Sequence, residues 1–357
     1  MANLRNLNLL VDKLEPSVRK AFFQAIAGVQ NDVQFALLEL ALKSGNVDEA
    51  MRVIGLGAEY FRPLEEAMRA AHLAGGDWAI ASVKAMAAKQ GAVVSGIFDA
   101  TNPRAAAILN KWSSEAVVGI TEATRQAVRE TLVAGINQGT SARQAALNLV
   151  GRIGPNGKRT GGVLGLDPNR ARLVRTVRDM LSDADAVAGY FTGRKPTFKS
   201  TNRQFDAAVR RAIANKTAVP TKVLNRLTTA LEARLLKQRG ETVARTELLG
   251  STHAAQAEAL DQLVESGAVN QEAITQQWDA SADRFTRASH READNQRRKK
   301  GEPFDIGGVL MKHPGDRSAP AKEVINCRCF LKIDIDFTKG LKSRLTSTEL
   351  SQTRALF

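Results

Sequence analysis

Cysteine is almost missing from this chain: two residues in 357, Cys327 and Cys329, with a single residue between them. Such a pair makes a poor disulfide framework, which argues against a small oxidised secreted domain. Aromatic residues are scarce too, at 5% against a hydrophobic content of 43%. Alanine and leucine supply the apolar content instead, which suits long, thinly packed helices better than one thick globule. No apolar run approaches the roughly 20 residues that span a bilayer, so no membrane partner is expected. The first twenty residues lack a signal-peptide core, because Asp12, Lys13 and Glu15 interrupt the apolar stretch. The expected compartment is the cytoplasm of the cell that makes the protein, or a particle assembled there.

What the chain does have is positive charge. Lysine and arginine number 51 against 37 acidic residues, a net +14 at pH 7. An excess of that size favours a polyanion partner, most simply nucleic acid or an acidic protein surface; the alternative is a solvated basic surface with no partner, and the expectation carried forward is double-stranded DNA. The basic residues expected to touch DNA are Arg152, Lys158, Arg159, Arg226, Arg234, Lys237 and Arg239. No nucleic-acid-reading motif is visible and aromatics rarely interleave with these residues, so the contacts are expected to be to the backbone and without sequence preference.

Hydrophobic periodicity predicts helix over most of the length. Residues 3–95 read as short amphipathic helices, with Asn46 or Asp48 as a cap before Ala50. Pro103 suits a first helical turn, Gly139 a C-terminal cap, and Ser141 with Gln144 a capping box opening a helix to Val150. Gly151 to Asp167, rich in glycine, reads as a loose surface loop. Asp167-Pro168 reads as a cap and first turn, and Thr221 opens a helix that would reach roughly 70 Å if unbroken to Ser266. Gly240 and Gly250 are the points where that helix would kink. The expected division is 1–100 as a helical docking or spacer region, 101–239 as a helical region containing the loop 151–167, 240–337 as a small α+β unit, and 338–357 as a tail. The fold class is thus mostly α and elongated, ending in a short antiparallel sheet packed on helices.

The polar residues that do chemistry collect between Trp278 and Asp336, where both cysteines and two of the four histidines lie. Here Ile274, Gln276 and Trp278 suggest a strand, Ala282 to Arg298 a helix, Gly308 to Lys312 a strand and His313-Pro314-Gly315-Asp316 a turn. The alternation from Cys327 through Leu331, Ile333 and Ile335 to Phe337 predicts a final strand with one apolar face. His290, Cys327 and Cys329, with His313 or Asp294, are zinc-type ligands. Their spacing weakens the idea, because cysteines two apart on a strand hold their Cα atoms about 6.6 Å apart and converge only if the strand bends. The preferred expectation is a metal-free, cofactor-free cluster that buries its thiols, with Trp278 and Phe304 nearby, and that stabilises rather than catalyses. A thiolate activated by His290 would suit a hydrolase, but no oxyanion context accompanies it.

One set of residues is more specific. Ala244-Arg245-Thr246-Glu247, Trp278, Asp283-Arg284, Arg287, His290, Asp294, Phe304, Pro314-Gly315-Asp316 and Asn326-Cys327-Arg328-Cys329 resemble the F-like head morphogenesis domain of tailed phages related to Mu. The strong resemblance covers about residues 240–337, and 103–240 looks more weakly like the part usually upstream. Asn295 departs from the glycine common there, but asparagine tolerates left-handed backbone geometry. The resemblance implies a minor head protein inside the capsid, at the portal, with the portal protein and packaged DNA as partners. It also implies structural roles for the quoted residues, Arg245, Thr246 and Glu247 being read as a helix face docking on the sheet. The competing expectation is a virion-carried enzyme or toxin, a nuclease or ADP-ribosyltransferase. The twenty residues after Phe337 are too few for a folded effector, so no enzyme is expected.

Overall fold

The computed structural model describes residues 4–154, 156–193, 195–196 and 203–339. The expected tail therefore lies outside the described residues from position 340 onward. Helix makes up 64% of the chain, which sets the class as mostly α.

In chain order the first helices are α1 (Leu4–Asp32), α2 (Phe35–Lys43), α3 (Val47–Ile54) and α4 (Arg62–Lys89). The expectation of short helices here fails for α1 and α4, which run 29 and 28 residues. Asn46 does cap α3, accepting from the Glu49 amide. Then come α5 (Pro103–Asn137) and α6 (Ala142–Val150), with Gly139 at φ +66° and the Ser141 hydroxyl accepting from the Gln144 amide. A short hairpin, β1 (Arg152–Ile153) and β2 (Arg159–Thr160), leads to α7 (Pro168–Ser182), capped by Asp167. After β3 (Phe191–Thr192), β4 (Lys195–Pro196) and α8 (Arg203–Ala214) comes α9, Thr221–Glu265, 45 residues without a break. The C-terminal elements are β5 (Ile274–Asp279), α10 (Ala288–Glu292), β6 (Arg297–Lys299), β7 (Phe304–Ile306), β8 (Val309–Met311), α11 (Ala321–Val324) and β9 (Phe330–Ile335). Among the described residues no helix is long and apolar enough to cross a membrane.

Packing divides the chain into two compact units. The first comprises Met1–Lys20, Leu64–Glu115 and Thr242–Phe357; the second comprises Ala21–Pro63 and Ala116–Glu241. These units are interleaved along the chain instead of following it in consecutive blocks, because α1, α5 and α9 are each long enough to contribute to both.

The first unit holds a three-stranded antiparallel sheet in the order β6-β5-β9, with Trp278 opposite Leu331, Gln276 opposite Ile333 and Ile274 opposite Ile335. Its core joins Trp278, Leu331, Ile333 and Ile335 to Ile80, Val83 and Met86 of α4, and to Ala259 and Leu260 of α9. The outer edge of β9 would expose unpaired backbone groups. Side chains cover it: His253 Nε2 accepts from the Leu331 amide at 3.1 Å, Gln256 donates to the Leu331 carbonyl at 3.4 Å, and Gln90 donates to the Ile335 carbonyl at 2.8 Å.

Two expectations for this unit are corrected. Ala282 to Arg298 is not one helix; only Ala288–Glu292 is, and Arg297–Lys299 pairs with β5. Asp283 stops helix formation early by taking the Phe285 amide and two hydroxyls into a turn. Asn295, at φ +63°, then turns the chain back so that its amide reaches the Trp278 carbonyl. The last strand begins at Phe330, so the cysteines precede it. They lie in the irregular segment between the Ile325-Asn326 turn and β9, with the Cys327 amide donating to the Val324 carbonyl and Asn326 left-handed at φ +57°.

In the second unit the glycine-rich stretch is not loose. Val163, Leu164 and Leu166 are buried to 1% exposure or less, and the Val163 and Leu164 amides donate to the Asn148 and Leu149 carbonyls. Composition suggested freedom, but here glycine permits close approach: a Cβ on Gly162 would lie 2.4 Å from the Leu149 carbonyl oxygen.

Candidate functional site

Within the first unit, α10 and the segment before β9 bring His290, Cys327 and Cys329 together. His290 Nδ1 lies 3.3 Å from Cys329 Sγ and 3.6 Å from Cys327 Sγ. All three side chains are buried, at 1–2% exposure. Trp278 packs edge-on to the imidazole with centroids 5.5 Å apart, and Phe304 lies 5.6 Å beyond, as the sequence suggested.

The other ring nitrogen faces a partner the sequence did not reveal. His290 Nε2 lies 3.1 Å from Oε2 of Glu323 on α11, a carboxylate 7% exposed, and the Ser289 hydroxyl donates to the same oxygen at 3.0 Å. A carboxylate oxygen can only accept from these two, so Nε2 carries the proton and the Nδ1 lone pair points at the sulfurs. The Cys329 amide donates to Cys327 Sγ at 3.4 Å. The bond between the thiols, and then burial, push Cys329 up, while the same bond pulls Cys327 below the ordinary thiol range. Among the described residues these three are the group whose atoms converge as metal ligands, all within 4.8 Å of one another. His313 and Asp294 do not join them: His313 Nδ1 lies 3.0 Å from the Pro314 carbonyl, and Asp294 accepts from the Ala280 amide.

The remaining residues of the C-terminal pattern form its frame. Asp283 holds Arg328 at 2.9 Å, Arg287 donates to the Ile325 carbonyl at 2.5 Å, and Asp316 accepts from the Lys312 and Ser318 amides to close the Pro-Gly-Asp turn. Arg245, Thr246 and Glu247 do not dock on the sheet. Arg245 pairs with Asp12 and Glu15, the Thr246 hydroxyl accepts from the Asn326 amide at 2.9 Å, and Glu247 accepts from the Trp112 indole and from Arg317. Thr246 thus fixes the turn that presents Cys327, and the sheet meets α9 two turns later, at His253 and Gln256.

The basic residues divide sharply. Arg239 is 4% exposed and donates to the Thr124 hydroxyl and to the Gly165 and Ile120 carbonyls, so it is withdrawn from the DNA-contacting set. Arg152 bonds Asn225 and is half-buried; Arg159 bonds the Gly151 carbonyl over the Phe35 ring; Arg234 is half-buried. Lys158, Arg226 and Lys237 stand exposed.

The chain is thus mostly helical, and its His290, Cys327, Cys329, Trp278 and Asp283–Arg328 pair assemble beside a small sheet. The family of phage Mu protein F like proteins matches residues 126–332, more than half of the chain, and the chain belongs to it. The match takes in the upstream helices as well as the C-terminal motifs. No curated protein and no solved structure matches the chain.

Proposed function

We propose that this protein is a minor head protein of a tailed phage, made in the host cytoplasm and carried inside the capsid, where it docks at the portal and touches packaged DNA without reading its sequence. Family membership over residues 126–332 carries this reading. The net charge of +14 and the exposed Lys158, Arg226 and Lys237 support the DNA contact. The role is structural: the buried His290, Cys327 and Cys329 offer no exposed nucleophile, which speaks against a hydrolase or effector.

Particles disrupted gently should release this chain together with portal oligomers; its recovery only apart from them overturns the docking. For DNA, the purified chain should bind duplexes of unrelated sequence equally, with log affinity falling linearly as log salt rises, because counterions leave the phosphates. Changing Lys158, Arg226 and Lys237 together to alanine should lower that slope by about one per residue lost from the contact, whereas changing Arg239 should not alter it through lost contact. Salt-independent binding, or none at low salt, removes DNA from the list of partners.

A further inference from the structure

The preferred sequence reading left the His-Cys-Cys cluster without metal because cysteines two apart on a strand do not converge. The structure removes that objection: the cysteines precede the strand in irregular backbone just after left-handed Asn326, and both sulfurs lie beside one imidazole nitrogen. From this geometry we propose that Cys327, Cys329 and His290 Nδ1 form a structural zinc site, with Glu323 as the carboxylate that orients the histidine. This site is independent of the head-assembly reading.

Four observations carry it. The first is spacing. Zn–S near 2.3 Å and Zn–N near 2.0–2.1 Å at a tetrahedral angle put each S···N edge at about 3.6 Å; the edges present are 3.3 and 3.6 Å. The second is the tautomer: the Glu323 contact holds the proton on Nε2 and leaves Nδ1 free to ligate, the carboxylate–histidine relation that accompanies metal-bound imidazoles. Ser289 fixes that carboxylate in turn. The third is the sulfur environment. The Cys329 backbone amide donates to Cys327 Sγ at 3.4 Å, a contact that a metal-bound sulfur can keep. The fourth is the charge balance: two thiolates cancel one divalent cation, so the metal and its three ligands are together neutral, which suits their burial.

Two soft thiolates with an imidazole favour zinc over magnesium or calcium, which prefer oxygen donors. Among the described residues no fourth His, Cys, Asp or Glu joins the cluster, so the proposed site leaves its fourth position to water. Burial of all three ligands denies a substrate access, which makes the role one of stability. The metal would tie α10, the 325–329 segment and, through Glu323, α11 into one block.

The test uses the full chain, purified from zinc-supplemented culture. Elemental analysis should find one zinc per chain, and exhaustive chelation should remove it and lower the Tm, with zinc restoring both. Cobalt titrated into the stripped protein should give the visible bands of a tetrahedral site and thiolate-to-metal charge-transfer absorption. Cys327→Ser and Cys329→Ser should each reduce the charge-transfer band. Glu323→Gln, which keeps the shape, should retain the cobalt spectrum and weaken zinc binding roughly 10- to 100-fold in competition with a chelator. Folded wild-type protein that holds no stoichiometric zinc and shows no cobalt charge transfer overturns the proposal. So does a Cys327→Ser variant that binds zinc as tightly as the wild type.

Discussion

The two units bury polar groups of different kinds. In the second unit they include an arginine and a carboxyl: Arg239 at 4% exposure among protein oxygens, and Glu232 at 1%, accepting from the Gly162 amide beside Arg178. In the first unit imidazoles and thiols are buried at and beside the sheet, with the Glu323 carboxylate set against one of the imidazoles. His253 Nε2 accepts from the Leu331 amide, so its Nδ1 must carry the proton it shares with the Pro314 carbonyl, and the ring is neutral. The first unit also has ion pairs: Glu258 with Arg104, whose guanidinium is exposed, and Glu247 with Arg317, which is half-buried over the Trp112 ring. Net charge therefore overstates what is available to a polyanion. Much of the positive charge in the second unit is already engaged by its own carbonyls, amides and carboxylates.

The comparison breaks most visibly at Arg239. Arg239→Met leaves the Gly165 and Ile120 carbonyls and the Thr124 hydroxyl without their charged donor in a dry interior, which should cost about 3–5 kcal/mol. Denaturant melts with hydrogen exchange resolved by segment would show the loss concentrated in residues 21–63 and 116–241. Loss spread evenly over both units, or a cost under about 1 kcal/mol, would mean that the buried guanidinium does not organise the second unit.

A pH series should separate Glu232 from the buried imidazoles by sign. Burial, with His313 adding to it, holds His253 down to about 3; burial, with Arg69 adding and Ser251 opposing, holds His72 down to about 4. The unfolded chain protonates these rings near 6.5. Acid therefore feeds protons to the unfolded state, and this stability is present above pH 6.5 and lost as pH falls toward 4 and then 3. Glu232 behaves oppositely. Burial raises it to about 7 against the pull of Arg178, the Gly162 amide and Arg152, while the unfolded carboxyl ionises near 4.5. Its contribution is complete below pH 4.5 and lost as pH rises through 7. At about 1.4 kcal/mol per pKa unit, each effect is worth on the order of 3–5 kcal/mol. Glu232→Gln should remove its alkaline loss and leave the acid loss of the imidazoles; His253→Gln, whose amide can meet the same two backbone groups, should leave the alkaline loss and remove the part of the acid loss that falls below pH 4, the His72 part remaining. If Glu232→Gln flattens the acid limb instead, the assignment of sign to group is wrong.

What was legible in the sequence was mostly local. Asn46, Ser141 and Asp167 announce helix starts because a cap is satisfied by an amide three residues away, and Asn295 announces its turn by tolerating positive φ. The cluster was legible because cysteine is rare here: two residues next to one histidine-bearing segment leave few ways to pair. Glu323 was not, since one carboxylate among 37 acidic residues carries no mark, and only the fold brings α11 against α10. Arg239 failed for the same reason in reverse, because sequence counts charges without placing them. The glycine-rich stretch was misread because glycine signals either freedom or close contact, and only the neighbours decide which.

That ambiguity gives the smallest test, since α9 carries one glycine in each unit where a kink was expected and none breaks the helix. Alanine favours a helix interior over glycine by about 1 kcal/mol, so a substitution with open space should stabilise. At Gly240 an added Cβ would meet Phe23 ring atoms at 2.7 Å; Phe23 is only half-buried and can turn aside, which should roughly cancel the gain. At Gly250 the same methyl would lie 2.2 Å from the Trp112 ring and 2.8 Å from the Gly315 carbonyl oxygen. Trp112 is held by Arg317 above its face and by its bond to Glu247, and the carbonyl belongs to the turn closed by Asp316, so neither yields cheaply. Gly250→Ala should therefore destabilise by about 1–3 kcal/mol, while Gly240→Ala stays within about 0.5 kcal/mol of the wild type. Thermal melts of the two variants side by side decide it: equal effects would mean that the first unit does not need its glycine for contact between α9 and the Pro-Gly-Asp turn.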